Sequence, residues 1–173
     1  MNIFLIGYRC TGKSSVGKSL ADRLDLSFAD SDSEVVREQG ISISEMVSKH
    51  GWDFFREKER EAIKRLSAAD KHVIATGGGV VLNPENVKDM KENGIVVWLK
   101  ATPETIKQRI LQDENTADLR PSLTSKGFVE EIQEILSERT PLYENTMDFY
   151  IDTDHVGLNE ICSFIISKLQ QKS

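Results

Sequence analysis

The segment Gly7-Tyr8-Arg9-Cys10-Thr11-Gly12-Lys13-Ser14 fits the pattern G-x-x-x-x-G-K-[ST] in full and follows directly on the apolar run Ile3-Phe4-Leu5-Ile6. A strand, a glycine-bounded loop and a basic residue opening a helix constrain this chain more than any other feature. Glycines let successive backbone N–H groups curl round a phosphate, Lys13 reaches the β and γ oxygens, and the Ser14 hydroxyl can ligate Mg²⁺. A helix beginning at Lys13 adds its positive dipole end. The competing reading, a glycine-rich turn with no ligand, does not account for the strand in front of it or for the Gly-Lys-Ser that ends it. A nucleoside triphosphate is the expected ligand.

Composition narrows what can surround that loop. A chain of 173 residues fits one domain over 1–173, and 39% hydrophobic with 29% charged residues is ordinary for a soluble fold. The net charge of −6 weighs against a nucleic-acid partner. A local cluster of Arg and Lys can still line a cleft for an anionic substrate. No run approaches the roughly 18 apolar residues of a membrane span, and Met1-Asn2 enters a strand with no basic leader. The expectation is a cytoplasmic protein with no membrane partner, and a monomer, since no heptad run appears. Cys10 and Cys162 are too few for a disulfide framework, and His50, His72 and His155 lie at no metal-ligand spacing, so they read as surface or structural.

Short β-rich runs alternate with helical patterns: Asn2–Ile6, Leu26–Asp30, His72–Thr76, Ile95–Leu99 and Phe149–Asp152 are the strand candidates. Strands separated by helices predict a five-stranded parallel sheet in a three-layer α/β/α sandwich. Ligands in such sheets bind beyond the carboxyl ends of the strands. The phosphate loop, Asp30-Ser31-Asp32 and Gly77-Gly78-Gly79 follow three of those ends and are expected to face one crevice. Between the second and third strands lie about forty residues, with helical patterns and a break at Gly40, more than one crossover helix requires. They read as an inserted subdomain, about 31–62. Asp113–Gly127 is polar, holds Arg120-Pro121 and lacks a helical stripe, which reads as a mobile lid or as a plain surface loop.

Asp30 and Asp32 leave the same side of the chain while it stays extended. They can share a cation; they can divide the work, Asp30 near Mg²⁺ and Asp32 near an acceptor hydroxyl as base; or the segment can be a turn or helix cap. Arg56 precedes Glu59 by three residues on a helix whose apolar stripe runs through Phe55, Ala62, Ile63, Leu66 and Ala69, with Glu59 on the stripe. That spacing fits a structural ion pair, or a glutamate that fixes an arginine for clamping a carboxylate. Arg139 continues the stripe Phe128, Val129, Ile132, Ile135, Leu136, just before Thr140-Pro141 is expected to end its helix. An inward guanidinium needs an anionic partner, because burying it unpaired costs several kcal/mol.

Gly7–Ser14, Phe28-Ala29-Asp30-Ser31-Asp32, Phe55-Arg56-Glu57-Lys58-Glu59, Thr76-Gly77-Gly78-Gly79, Leu119-Arg120-Pro121-Ser122-Leu123 and Glu138-Arg139-Thr140-Pro141-Leu142-Tyr143 together resemble the shikimate kinase family, in family order along the whole chain. The resemblance implies a small-molecule kinase of the P-loop type that transfers the γ-phosphoryl group of ATP to the 3-hydroxyl of shikimate with Mg²⁺, in aromatic amino-acid biosynthesis. Related readings are a kinase for another hydroxy acid such as gluconate, or a catalytically silent nucleotide-binding domain. By the resemblance, Lys13, Asp32 and Arg120 are catalytic, with Asp32 as base. Gly7, Cys10, Thr11, Gly12, Lys13, Ser14, Ser15, Arg109 and Arg120 hold ATP, Arg109 stacking on adenine and Arg120 descending with the lid. Asp32, Arg56, Glu59, Gly77, Gly78, Gly79 and Arg139 hold shikimate, Arg56 and Arg139 clamping its carboxylate. Ser14 and Asp30 serve the metal.

The chain departs from the family pattern at four places. Cys10 stands where Gly is common, so φ > 0 there would strain a side chain. Trp52-Asp53 replaces a more usual acidic residue after Gly51, and Val47 stands where Phe is common; neither is expected to touch the clamp. The proline expected near Asp154–Gly157 is absent.

Overall fold

Alternation along the central strand sets the architecture. In a computed structural model, which describes residues 1–113 and 127–172, β1 (Asn2–Ile6) is buried at every position. It pairs in parallel with β3 (His72–Ala75) on one side and β4 (Gly94–Lys100) on the other. β2 (Ser27–Asp30) extends the sheet beyond β3 and β5 (Phe149–Asp152) beyond β4, giving the all-parallel order β2-β3-β1-β4-β5. Strand boundaries agree with expectation to within one residue at each end.

The helices α1 (Lys13–Leu24), α2 (Ser31–Gln39), α3 (Ile43–Ala68), α4 (Pro84–Asn93), α5 (Pro103–Gln112), α6 (Phe128–Thr146) and α7 (Leu158–Lys172) are the described connections, with a 3₁₀ turn at Val80–Leu82. Side chains of a strand leave alternately to opposite faces. Ile3 and Leu5 pack with Val16 and Leu20 of α1 and with Ile161 and Ile165 of α7. Phe4 and Ile6 pack on the other face with Ile63 and Leu66 of α3, Met90 of α4 and Tyr143 of α6. The sheet is thus covered on both sides, which is why its strands read as continuous apolar runs.

Between β2 and β3 a satellite core forms. Val35 of α2 meets Ile43, Met46, Phe55 and Ala62 of α3. Gly40 closes α2 in the left-handed region at φ 70°, and Gly51 breaks α3 with φ 84°. Ser42 caps α3 by accepting from Glu45 N–H, the Ser-x-x-Glu signature of a helix start.

Two helix expectations are corrected. α6 does not end at Thr140-Pro141 but runs through Pro141 to Thr146. Pro141 lacks an N–H to donate; the turn beyond it stays helical with Tyr143 and Thr146 buried and Thr146 Oγ1 donating to the Leu142 carbonyl at 2.7 Å. Val129, placed on the inward stripe, is exposed, whereas Ile132 and Ile135 are buried against Tyr8, Ala101 and Ile106.

Phe4→Ala should lower the unfolding free energy by about 3–5 kcal/mol, the usual cost of emptying a filled aromatic site. Val129→Ser should change it by less than about 0.5 kcal/mol. Urea titrations of the two variants test the layering, and equal losses would contradict it.

Candidate active site

The loop after β1 is shaped by three residues with positive φ, Gly7 at 141°, Cys10 at 58° and Gly12 at 89°. Cys10 therefore carries the strain expected of a side chain in the left-handed region, about 1–2 kcal/mol relative to glycine. Thr11 Oγ1 donates to the Tyr8 carbonyl at 2.8 Å, and Lys13 Nζ donates to the carbonyls of Gly7 and Tyr8 at 2.7 Å each. The lysine ammonium is thereby folded back over the loop. Gly12 offers no side-chain cap to α1, so the first N–H groups of that helix, including those of Ser14 and Ser15, are left for a bound anion.

The end of β2 comes to this loop. Ser14 Oγ donates to Asp30 Oδ2 at 2.7 Å, bringing together the two residues expected near a metal. A hydroxyl and one carboxylate suit a Mg²⁺ that keeps most of its waters and takes further oxygens from phosphate. The expectation that Asp30 and Asp32 leave the same side of an extended chain is corrected. α2 begins at Ser31, and Asp30 itself is the cap, accepting from Ser33 N–H at 3.1 Å. Helix geometry turns Asp32 away from Asp30 and toward the third loop.

That loop, Gly77-Gly78-Gly79, is drawn in from both sides. Gly77 N–H donates to Ser31 Oγ at 3.1 Å, and Thr76 donates to the Leu5 carbonyl through both N–H and Oγ1, at 3.1 and 2.9 Å. A Cβ on Gly77 would stand 2.6 Å from Asp32 Oδ1 and 2.7 Å from Glu59 Oε1, and one on Gly79 would overlap the Arg56 guanidinium. The glycines are what let two carboxylates and an arginine touch the backbone.

Beside them opens a cleft, open to solvent, lined by Arg9, Asp32, Trp52, Arg56, Glu59, Arg139 and the three glycines. Arg56 Nη1 bonds Glu59 Oε2 at 2.9 Å, and Glu59 is only 1% exposed. Burial pushes the Glu59 carboxyl above its ordinary range against the lowering pull of Arg56, and the neighbouring Asp32 pushes it further up. Arg139 is 6% exposed, so the inward orientation read from its stripe holds. Asp32, Arg56, Glu59, Gly77, Gly78, Gly79 and Arg139 therefore all line one cavity. Among the described residues, Glu59 Oε1 and Arg9 Nε are buried without a hydrogen-bond partner.

Arg109 lies apart, joining three segments. Its Nη1 donates to the Cys10 carbonyl at 3.2 Å and Thr153 Oγ1 at 3.1 Å, and its Nη2 to the Thr153 carbonyl at 2.8 Å. It thus binds the end of α5 to the phosphate loop and to the loop after β5. Arg120 and most of the expected lid lie outside the described residues.

Sequence reasoning missed three contributors. Arg9 occupies a variable position of the loop motif, yet its side chain lines the cavity and pairs with Glu131 of α6 at 3.4 Å. Trp52, expected to stand clear of the clamp, is corrected: the Arg56 guanidinium lies 5.3 Å from its ring centroid, and Gly51 just before it turns the chain so that the ring faces the cavity. Tyr143 donates its hydroxyl to the Gly78 carbonyl at 2.6 Å. Its four-residue spacing from Arg139 was the available signal.

A family model described as shikimate kinase matches residues 9–170. A shikimate kinase of Syntrophus aciditrophicus is 44% identical over 99% of this chain and 92% of its own length. One from Thermodesulfovibrio yellowstonii is 42% identical over 99% and 96%. Among solved structures, the shikimate kinase from Acinetobacter baumannii in complex with shikimate superposes with a TM-score of 0.92 at 31% identity, covering 99% of this chain and 94% of that one. The shikimate kinase from Aquifex aeolicus gives 0.82 at 32% identity, covering 99% and 98%.

A carboxyl that holds its proton longer in the folded than in the unfolded state makes the protein lose stability as pH rises from the unfolded pKa through the folded one. For Glu59 that decline starts near the ordinary value of 4.5. The stability difference between the parent and Glu59→Gln should therefore move against the parent as pH rises above 4.5, in urea titrations at stepped pH. Parallel profiles would remove Glu59 as the source.

Proposed function

The chain belongs to the shikimate kinase family, and we propose that it transfers the γ-phosphoryl group of ATP to the 3-hydroxyl of shikimate, giving shikimate 3-phosphate and ADP. One observation carries the reading. A cleft lined by Arg9, Arg56 and Arg139 on one hand and Asp32 and Glu59 on the other opens directly beside a phosphate loop. Such a cleft suits a small acid rich in hydroxyls, its carboxylate answering the arginines and its hydroxyls the carboxylates.

Phosphoryl transfer is mostly positioning and charge stabilisation. The phosphate loop and the uncapped start of α1 would cradle the phosphates, with Lys13 leaving its carbonyl partners to follow the γ-phosphoryl oxygens. Ser14 and Asp30 would hold Mg²⁺, which when bound would supply charge neutralisation to the phosphates. Arg56 and Arg139 would clamp the acceptor carboxylate, Glu59 keeping Arg56 in place through their buried pair. Asp32, held against Gly77 near the cavity wall, would orient the acceptor hydroxyl and receive its proton. Arg109 would face the adenine from its anchor on Thr153, and Arg120 would bring positive charge to the phosphates as the segment around 113–127 closes. The 31–62 segment, with its own satellite core, would move as the acceptor-binding unit and exclude water.

We take the working unit to be a single chain, the reading that a sequence without a heptad run favours. We place it in the cytoplasm, where ATP is available and its two free cysteines stay reduced. No helix among the described residues is long and apolar enough to cross a membrane.

A coupled ADP-release assay with ATP and Mg²⁺ should show turnover that depends on shikimate and not on gluconate; turnover with gluconate alone would reassign the clamp to another acid. Asp32→Asn should lower kcat by about 10²-fold or more while ATP binding stays near that of the parent. Arg139→Ala should raise the shikimate KM by about tenfold or more, the scale of a lost charge-assisted hydrogen bond. An unchanged KM would take Arg139 out of the clamp.

A further inference from the structure

One side chain behind the cavity wall lies against two parts of the acceptor site, the Gly78 backbone and Arg139. Tyr143 lies four residues beyond Arg139 on α6, on the same helix face. It is completely buried, its ring stacked on Trp98 of β4 with centroids 5.6 Å apart and planes inclined by 29°. Its hydroxyl donates to the Gly78 carbonyl at 2.6 Å. The positive Arg139 guanidinium stands near enough for its charge to pull on the phenol against the effect of burial. Burial pushes the phenol pKa up to about 12, so the hydroxyl remains a donor at any working pH.

We infer that Tyr143 is a positioning residue for the acceptor, holding the Gly78 backbone in a fixed place beside Arg139 through its single hydroxyl. The hydrogen bond from Tyr143 Oη fixes the Gly78 carbonyl at 2.6 Å, and the backbone it fixes lies against the Arg139 guanidinium. A planar peptide ties each carbonyl to the N–H of the next residue, so anchoring the Gly78 carbonyl also sets the direction of the Gly79 N–H. The anchored Gly78 adjoins Arg139: a Cβ on Gly78 would lie 3.5 Å from Arg139 Nη1. The Trp98 stack fixes the ring from behind, so the hydroxyl has one position. Tyr143 stands outside the cavity lining and acts on the acceptor only through Gly78, which borders Arg139.

This inference rests on the shikimate kinase reading, and the parent enzyme separates the two: no shikimate-dependent turnover by the parent would defeat that reading. Tyr143→Phe keeps the ring and its stack and deletes only the hydroxyl. The shikimate KM should rise about tenfold, the scale of a buried hydrogen bond lost beside an unpaired carbonyl, with kcat and the ATP KM within about threefold of the parent. A purely structural role would lower stability without this split, and a shikimate KM within about twofold of the parent would overturn the inference. Should Tyr143→Phe fail to fold, the parent carrying 3-fluorotyrosine at its three tyrosines gives a second test. Its ¹⁹F resonances are assigned with Tyr8→Phe and Tyr150→Phe. Saturating shikimate should shift the Tyr143 resonance, and a resonance that does not move would overturn the inference.

Discussion

The site depends on the parallel pairing of β1 between β3 and β4. Leu5 stands opposite Ala75 on one side and Val97 on the other, so β1 and β3 end within one residue of each other and their loops leave at one level. The Leu5 carbonyl accepts two hydrogen bonds from Thr76, which holds the triple-glycine segment beside the phosphate loop before any side chain is considered. Apolar burial on both faces of β1 makes that register hard to shift, because a one-residue slip would exchange Ile3 and Leu5 with Phe4 and Ile6. The core and the catalytic edge are consequences of the same pairing.

Upon that scaffold the chain concentrates charge where water is scarce. Glu59 and Arg139 are nearly sealed, and Arg9 reaches across to Glu131 from 122 residues earlier in the sequence. Such pairs are poor investments for stability alone, since desolvation consumes most of their attraction. Their arrangement makes sense as preorganisation: positive groups already stripped of water and already aimed need little further ordering when an anion arrives.

Much of this was legible in the sequence where local rules apply. The phosphate loop is a contiguous motif, the strands are apolar runs, and Arg139 was placed inward by its spacing from Ile132 and Ile135. The failures share a cause: they depend on partners or turns that no local pattern announces. Asp30 and Asp32 read as a pair until α2 was seen to start between them. Pro141 read as a helix end, although the turn after it is held by burial of Tyr143 and Thr146. Trp52 read as remote because nothing in its neighbours says that Gly51 swings it toward Arg56. Tyr143 was quoted as part of a motif, but its value lies in a hydrogen bond to Gly78, 65 residues away.

The two sides of the cavity differ in how they can change over generations. Along Gly77 and Gly79 the wall is main chain pressed against Asp32, Glu59 and Arg56, and any side chain added there collides with the groups it would have to serve. The opposite side is built from Ile43, Trp52 and Phe55 of α3, whose volumes can be altered singly, within a small core separate from the sheet. Divergence in acceptor shape is thereby channelled to α3, while recognition of the acid group is locked into a surface that mutation can scarcely edit. A lineage exploring new acceptors on this scaffold, or an engineer doing the same, inherits that asymmetry.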